Sequence, residues 1–182
     1  MKILALHENW EYVYQTACFL SSEWNINFDK RIEKLHLSNN KSPYNCIIIN
    51  EQEIYENAHT DDYGNDIKCT YKIVAHGRYC LLDTFKTSCI IESILVKKSY
   101  RNQGLGRQIM KSLIEIIRCK GCSDVYIATY DQQNFYKKIN FIECESFKTI
   151  NYIIKNKTVC VLITPKYYKN VLSNRTWMKY NI

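Results

Sequence analysis

The sequence predicts a single α/β domain in which a mixed, twisted sheet of about seven strands carries helices on both faces. The length of 182 residues suits one domain with a sizeable core. A hydrophobic content of 46% and a charged content of 24% are ordinary for a soluble globular protein. Apolar residues switch repeatedly along the chain between the two-residue period of strands and the 3.6-residue period of helices, which favours a sheet covered by helices.

Two helices are predicted between a first strand at residues 2–7 and a second strand at 45–50. The first helix runs from Asn9, a suitable N-cap, to Trp24. The second covers residues 27–37. Its apolar positions are expected to face inward and its basic positions outward. The inward set is Phe28, Ile32 and Leu35, and the outward set is Lys30, Arg31 and Lys34.

An acidic stretch at residues 51–66 contains six Asp or Glu residues and no Lys or Arg. We expect it to form a long loop. Alternating segments at 68–82 and 86–96 are then expected to pair as strands across a turn at Asp83.

The second half of the chain is expected to hold two helices and several strands. A helix runs to about Cys119 and ends at Gly121, which is a suitable C-cap. The further predicted elements are a strand at 124–130, a short helix at 131–139 capped by Asp131, a strand at 141–147 and a last strand at 175–181. Residues 149–174 form an insertion before the last strand, with a hairpin and a short helical piece after Pro165.

The formal net charge is +7, and because the acidic stretch is strongly negative, the rest of the chain is more basic than this total suggests. Such a surface suits an anionic cofactor, an acidic substrate or nucleic acid. The lysines are scattered and lack an interleaved stripe of aromatic residues, so we do not expect a nucleic-acid partner.

Nine cysteines are present, and most lie inside apolar runs, where cysteine acts as a small hydrophobe. The first apolar run, 3–6, is stopped by His7 and Glu8, so we expect no secretory signal and a reducing, cytoplasmic setting. Cys119 and Cys122 have a metal-like spacing but lack a second pair, so we expect no metal site. No apolar run is long enough to span a membrane. We expect a monomer.

The pattern Arg101-x-x-Gly104-x-Gly106 lies between an apolar strand segment that ends at Val96 and the start of the helix that runs to Cys119. Glycines let the backbone approach an anion, and the N terminus of a helix favours negative charge. The pattern is neither a P-loop nor a dinucleotide-binding fingerprint. By itself it indicates either a phosphate cradle or an ordinary helix entry.

A second motif, Asn134-x-Tyr136-x-x-x-Asn140-Phe141, follows the next strand. With the glycine loop, it resembles the GCN5-related N-acetyltransferase family over about residues 46–147 and the C terminus. Asn140 stands where that family usually has glycine, and asparagine tolerates the left-handed conformation that such a turn needs.

Further residues resemble the members of this family that acetylate the N terminus of actin. They are the segment Thr129–Tyr136, Trp24 with Arg31, the run Ala75-His76-Gly77-Arg78, Ile91-Glu92-Ser93, and Arg175-x-Trp177-Met178. This resemblance implies acetyl-CoA-dependent Nα-acetylation of protein N termini that begin with Asp or Glu, most of all processed actin. Animal members carry a proline-rich insertion, whereas this chain has two prolines. Profilin therefore stays a candidate partner without a docking segment. The alternative is N-acetylation of a small-molecule amine.

The resemblance also implies roles for individual residues. Tyr136 would give a proton to the leaving thiolate of CoA, and Glu92 or His76 would take the proton of the amine. Trp24, Arg31 and Arg78 would contact the acidic peptide. The implied acetyl-CoA contacts are Ile94, Leu95, Val96, Asn102, Gln103, Gly104, Leu105, Gly106, Arg107 and Gln132. Each of these residue types also has an ordinary structural role, as a core tyrosine, a packed histidine or a solvated arginine.

Overall fold

The computed structural model describes residues 1–24, 26–60, 66–82, 87–145, 148–154, 157–163 and 175–182. The α-helices are α1 (Val13–Ser21), α2 (Phe28–His36), α3 (Leu105–Cys119) and α4 (Gln133–Lys137). The strands are β1 (Lys2–Ala5), β2 (Tyr44–Ile49), β3 (Tyr55–Thr60), β4 (Asp66–Tyr71), β5 (Ile73–Leu81), β6 (Ser88–Val96), β7 (Asp124–Thr129), β8 (Ile142–Glu143), β9 (Lys148–Ile154), β10 (Lys157–Ile163) and β11 (Thr176–Asn181).

Seven of these strands form one mixed sheet in the order β1-β2-β5-β6-β7-β11-β8. Strand β1 is antiparallel to β2, β6 is parallel to β7, and β11 is antiparallel to both β7 and β8. Two separate hairpins, β3–β4 and β9–β10, complete the described strands. The predicted α/β class with a mixed sheet of about seven strands is confirmed.

The chain divides into two compact units. The first comprises Met1–Arg78 and Ser93–Leu113, and the second comprises Tyr79–Glu92 and Ile114–Ile182. The core of the first unit joins the apolar faces of α1 and α2 to β2 and to the start of β5. The core of the second unit includes Cys80, Leu82, Ile90 and Trp177. The expectation of one domain over 1–182 stays a prediction.

The first helix starts later than expected. Helix α1 begins at Val13 after a 3-10 turn at Trp10–Tyr12. The side chain of Asn9 does not cap a helix, because its Nδ2 donates to the carbonyl of Ala5 at 2.9 Å. Asn9 was therefore wrong as an N-cap. The second helix does have an asparagine cap, since Asn27 Oδ1 accepts from the backbone N–H of Lys30 at 2.8 Å.

Arg31 was predicted to face outward, and this is wrong because its side chain is buried. The residue lies three positions after Phe28 and four before Leu35, both of which are buried as well. Residues at these spacings share one face of a helix. The helical period therefore outweighs the usual exposure of a charged side chain.

The acidic stretch at 51–66 is not one long loop, because β3 and β4 pair as an antiparallel hairpin from Tyr55 with Tyr71 to Thr60 with Asp66. The segment 68–82 is accordingly two strands rather than one. The expected turn at Asp83 lies outside the described residues.

Helix α3 ends as predicted. Gly121 has a positive φ of 76°, and the N–H of Cys122 donates to the carbonyl of Ile117 at 3.4 Å. This pattern is typical of a glycine C-cap. The next helix differs from its prediction, since α4 begins at Gln133 after Gln132, so Asp131 is not its cap.

The predicted hairpin in the insertion 149–174 is confirmed by the antiparallel pairing of β9 and β10. The helical piece expected after Pro165 lies outside the described residues. Cys18, which lies in one of the apolar runs, is buried in the core as a hydrophobe would be but is disulfide-bonded, so the expectation that it acts only as a small hydrophobe is wrong. Within the described part of the chain, no helix has the length and apolar character needed to cross a membrane.

Candidate active site

The loop before α3 has the backbone geometry that an anion cradle needs. Asn102 and Gly104 both have positive φ, 63° and 84°. The carbonyl of Gly104 accepts the first helical hydrogen bond, from Gln108 N–H at 3.0 Å. The N–H groups of residues 105–107 precede this first donor. N–H groups in the first turn of a helix lack intrahelical acceptors, so they are available to a ligand.

The surface of this loop also fits an anion. Residues 102–104 and Arg107 are exposed, and the first turn of α3 contains no acidic residue that would compete with a negatively charged ligand. The helix is fifteen residues long, so its dipole contributes positive potential at this end. These features fit the pyrophosphate of a CoA molecule.

Side chains of residues 50–55, at and before the start of β3, hold the segment that leads into the loop. Tyr100 Oη accepts from Asn50 Nδ2 at 2.8 Å and lies 2.8 Å from Tyr55 Oη. Both phenols hydrogen bond to the carboxylate of Glu53. Lys97 Nζ lies 4.0 Å from the centre of the Tyr55 ring, which is a favourable cation–π distance. These contacts were missed at the sequence level, because the acidic residues concealed the alternation of β3.

Arg101 ties the loop to the end of β6. Its Nε donates to the carbonyl of Val96 at 3.1 Å, and its Nη2 lies 3.4 Å from the Glu23 carboxylate. The side chain therefore positions the loop as well as adding positive charge.

Strands β6 and β7 pair in parallel at their first residues, from Ser88 with Asp124 to Ile90 with Tyr126. Strand β6 continues to Val96 beyond this ladder. Within that extension Ser93 has a positive φ of 56°. A residue of this conformation inside a strand is typical of a β-bulge, which redirects the groups on either side of it.

Glu92, one of the two candidate bases, precedes the bulge and is half-buried. Its Oε1 accepts a weak hydrogen bond from Cys80 Sγ at 3.6 Å. Cys80 lies on β5, so the contact fixes the carboxylate against the neighbouring strand.

Tyr136, the candidate acid, is buried on α4 against Phe135 and Phe141, at ring distances of 5.0 and 5.8 Å. An ordinary phenol is already protonated at neutral pH, and burial, with a smaller contribution from Asp131, raises the pKa of the Tyr136 phenol further. Asn140 has a positive φ of 68°, which confirms the expected left-handed turn after the helix. Gln132 is exposed at the start of α4.

Three basic side chains of the first unit form a buried patch. Arg31 is 6% exposed, Arg78 8% and His76 1%. Nη2 of Arg31 donates to the carbonyl of Trp24 at 2.7 Å, whereas its buried Nε has no acceptor among the described residues. Trp24 itself packs, partly buried, against the core of this unit. The two guanidinium groups of the patch thus concentrate positive charge away from bulk water, where it acts strongly on a nearby anion.

Within each of the two compact units, the structure brings several of the predicted site residues together. In the first unit, Arg31, His76 and Arg78 form the basic patch, and residues 102–107 form the loop and helix start. In the second unit, Tyr136 and Gln132 belong to one short helical segment. Two polar residues next to the site were missed from the sequence: Asn45, which contacts His76, and Ser93. A lone asparagine or serine in a strand carries no sequence signal for such a role.

Comparison with known proteins identifies a family. The profile of the acetyltransferase (GNAT) family matches residues 22–141. This match covers the basic patch, the glycine loop and the α4 segment.

Curated relatives match over shorter segments. N-alpha-acetyltransferase 80 of Mus musculus is 28% identical over 69 residues, which are 38% of this chain and 22% of that protein. Glucosamine 6-phosphate N-acetyltransferase of Trypanosoma brucei brucei is 40% identical over 52 residues, 28% of this chain and 35% of that protein. Thialysine N-epsilon-acetyltransferase of Bos taurus is 39% identical over 61 residues, 32% of this chain and 36% of that protein. The chain therefore matches about a third or less of each relative's own length.

Solved structures match over the whole chain. Aminoglycoside 6'-acetyltransferase type Ii has a TM-score of 0.65 at 14% identity, covering 100% of this chain and 97% of that one. An aminoglycoside 6'-N-acetyltransferase complexed with coenzyme A has a TM-score of 0.64 at 13% identity, with the same coverage. At such identities these likenesses establish the fold.

Proposed function

The chain belongs to the acetyltransferase (GNAT) family, and on this premise we propose that it transfers the acetyl group of acetyl-CoA to the α-amino group of a protein N terminus that begins with Asp or Glu. Processed actin is the proposed acceptor, as the resemblance in sequence to acetyltransferases of this kind implies. The acetyl donor supplies an activated thioester when it is bound.

The observation that carries the proposal is the buried basic patch. Arg31 and Arg78 are both nearly inaccessible to water, and Arg31 Nε lacks an acceptor among the described residues. A buried guanidinium is costly unless an anion accompanies it. A carboxylate side chain of the acceptor peptide would offer paired oxygens to such a group, which is the geometry that arginine binds best.

Residues of the loop would hold the pyrophosphate of acetyl-CoA. We assign this role to the backbone N–H groups of residues 102–107 and to the side chain of Arg107. The backbone of Ile94, Leu95 and Val96, beyond the β6–β7 ladder, would pair with the pantetheine arm, and Gln132 would contribute a further contact. The positive φ of Gly104 and the absence of acidic residues in the first turn of α3 support this assignment.

Two side chains would move protons. The Tyr136 phenol, which is protonated at neutral pH, would give its Oη proton to the departing sulfur. The Glu92 carboxylate would accept the proton of the amine, directly or through one water. His76 is the other candidate base, but both of its ring nitrogens already lie within hydrogen-bond distance of protein atoms. We therefore assign the base to Glu92.

Acetylation of a small amine is the second candidate function. Two of the relatives are named for small-molecule acceptors, and they are 40% and 39% identical over their matched segments. A basic patch also suits the phosphate of a sugar phosphate, so charge alone does not separate the two candidates.

An acceptor screen with the full chain separates them. Acetyl transfer would be measured on peptides that begin Asp-Asp-Asp or Glu-Glu-Glu, on matched peptides that begin with neutral residues, and on glucosamine 6-phosphate, thialysine and polyamines. We expect kcat/KM to be highest for the acidic peptides. Binding of acetyl-CoA without transfer to any acidic peptide would refute the proposed acceptor. Turnover of the small amines alone would establish the second function.

A further inference from the structure

Ser93 occupies an unfavourable backbone conformation at a sensitive point of β6. Its φ of 56° is disfavoured for a residue with a Cβ, so surrounding contacts have to fix it. The residue lies between Glu92, the proposed base, and Ile94, the first residue proposed to pair with the pantetheine arm. The directions of both neighbours depend on the conformation of Ser93.

The carbonyl of Ser93 is held by His76. Nδ1 of His76 lies 2.8 Å from this oxygen, and His76 is 1% exposed on the adjacent strand β5. A carbonyl oxygen only accepts hydrogen bonds. Nδ1 therefore carries a proton.

The other ring nitrogen fixes the charge of the imidazole. Nε2 lies 3.1 Å from Oδ1 of Asn45, a fully buried residue whose Nδ2 has no acceptor among the described residues. If Nε2 were also protonated, the ring would be a third buried cation beside Arg31 and Arg78. Turning the Asn45 carboxamide by half a turn instead gives Nε2 a donor without breaking a bond to any described residue.

The neighbouring charges favour the neutral ring. Burial lowers the pKa of His76 to about 4, Arg78 and Arg31 lower it as well, and the bond to the Ser93 carbonyl opposes them. At neutral pH the ring then donates from Nδ1 and accepts at Nε2.

We propose that His76 is a positioning residue: its neutral imidazole, protonated on Nδ1, clamps the carbonyl of Ser93 in the β6 bulge, and Asn45 in turn clamps the imidazole. Neither ring nitrogen is free to take a proton from a substrate amine. The clamp fixes the backbone that presents Glu92 and Ile94. Only its catalytic consequence rests on the proposed acetyl transfer; the tautomer and the hydrogen bonds do not.

Nitrogen NMR on the full chain labelled with ¹⁵N-histidine tests the clamp without any assay. The signal of His76 is identified by its absence in His76→Gln. We expect a neutral ring with the proton on Nδ1 and no titration between about pH 8 and 5.5, given a pKa far below 6.5. A neutral ring protonated on Nε2, or a charged ring at pH 7, would overturn the proposal.

Kinetics of matched variants test the consequence of the clamp for catalysis. Glutamine at position 76 can donate one hydrogen bond and accept another, so we expect His76→Gln to lower kcat less than about 5-fold. His76→Ala should lower kcat by about 10- to 100-fold, the size of effect that a displacement of about 1 Å produces, with little change in either KM. The exposed His36 gives the control His36→Gln, which we expect to match the wild type.

Other outcomes are equally decisive. If His76 were the base, both substitutions would lower kcat/KM by a similar large factor, and the acid limb would be missing from the pH profile of the residual activity. If His76→Ala does not fold, Asn45→Ala removes the other half of the clamp and should lower kcat in the same direction. If the wild type acetylates no acceptor, the proposed function fails, while the NMR result still decides the clamp.

Discussion

The loop at residues 102–107 and the basic patch of Arg31, His76 and Arg78 both favour anions, but they do so by different means. The loop is one contiguous exposed segment whose positive potential comes from backbone N–H groups and a helix dipole. The patch is built from side chains of α2 and β5 that are far apart in sequence and buried. Backbone geometry suits any phosphate, whereas buried guanidinium groups select the shape and charge of one partner. On the proposed function, the loop would hold a ligand common to the family, and the patch would hold an acceptor particular to this chain.

The largest effect is expected from removing charge in the patch. Arg31→Gln should reduce kcat/KM for acidic peptides roughly 30- to 1000-fold, because a buried carboxylate of the acceptor would lose its partner. This factor corresponds to a loss of about 2–4 kcal/mol of transition-state stabilisation. Binding of acetyl-CoA, measured by calorimetry, should stay within about twofold of the wild type, since the loop is a separate feature. Arg31→Lys is the matched control, and it should retain part of the preference for acidic peptides.

A parallel loss of peptide use and acetyl-CoA binding in Arg31→Gln would contradict this division of tasks. The same conclusion would follow if neutral and acidic peptides lost activity equally.

The pH dependence of stability is expected to reveal the buried histidine of the patch. The pKa of His76 is lowered from 6.5 to about 4, so below pH 6.5 the unfolded chain binds a proton that the folded chain does not. Stability is therefore complete above pH 6.5 and falls as the pH drops toward 4, by about 2 kcal/mol between pH 7 and 5 from this residue. The groups that face the ring are Asn45, the Ser93 carbonyl, Arg31 and Arg78.

Urea unfolding of the wild type and of His76→Gln at pH 7 and 5 measures this contribution. Each protein loses some free energy of unfolding between pH 7 and 5. Subtracting the loss in His76→Gln from the loss in the wild type removes the contributions of all other titratable groups. An identical pH dependence in both would mean that folding does not shift the pKa of His76.

A smaller effect is expected at the loop. Gly104→Ala should weaken acetyl-CoA binding by about 1 kcal/mol, or roughly fivefold, because alanine disfavours the φ of 84° found there. Gly121→Ala is a close control, since Gly121 has a φ of 76°, caps the opposite end of α3 and also has open space around its Cβ position. It should cost similar stability and leave acetyl-CoA binding unchanged. Equal binding losses in both variants would show that the loop acts only through the stability of the helix.

The smallest effect is expected at the turn after α4. Asn140→Gly should raise the free energy of unfolding by less than about 1 kcal/mol, because glycine takes the φ of 68° without steric strain but is freer in the unfolded chain. Thermal unfolding monitored by circular dichroism provides the measurement. A clear destabilisation would mean that the asparagine side chain makes a contact that the turn needs.

Features that depend on residues close together in the sequence could be predicted from the sequence. The glycine loop, the end of α3 and the left-handed turn at Asn140 follow from local backbone chemistry, and each was found where expected. The mixed sheet follows from the alternation of strand and helix periods. Such features need no knowledge of what packs against them.

Features that depend on contacts between residues far apart in the sequence were predicted poorly. Arg31 was placed outward by its charge, although its spacing from Phe28 and Leu35 pointed inward. The β3–β4 hairpin was concealed by acidic side chains, and Asn9 and Asp131 failed as caps because other contacts decided where those helices start. The clamp on Ser93 joins residues 45, 76 and 93, and no local pattern connects them.

The contacts of Tyr100 and Arg101 bear on the thermodynamics of ligand capture. Tyr100 is hydrogen-bonded to Asn50, and Arg101 is hydrogen-bonded to the carbonyl of Val96. Both bonds lie within the chain and need no ligand. Immobilising a flexible side chain on binding costs about 0.5–1.5 kcal/mol. Because hydrogen bonds within the folded chain already hold these two side chains, part of that entropy is lost during folding rather than at the encounter with a ligand. The loop before α3 is in this sense preorganised, and the segment at the start of β3 that supplies Glu53 and Tyr55 is part of the scaffold that makes it so.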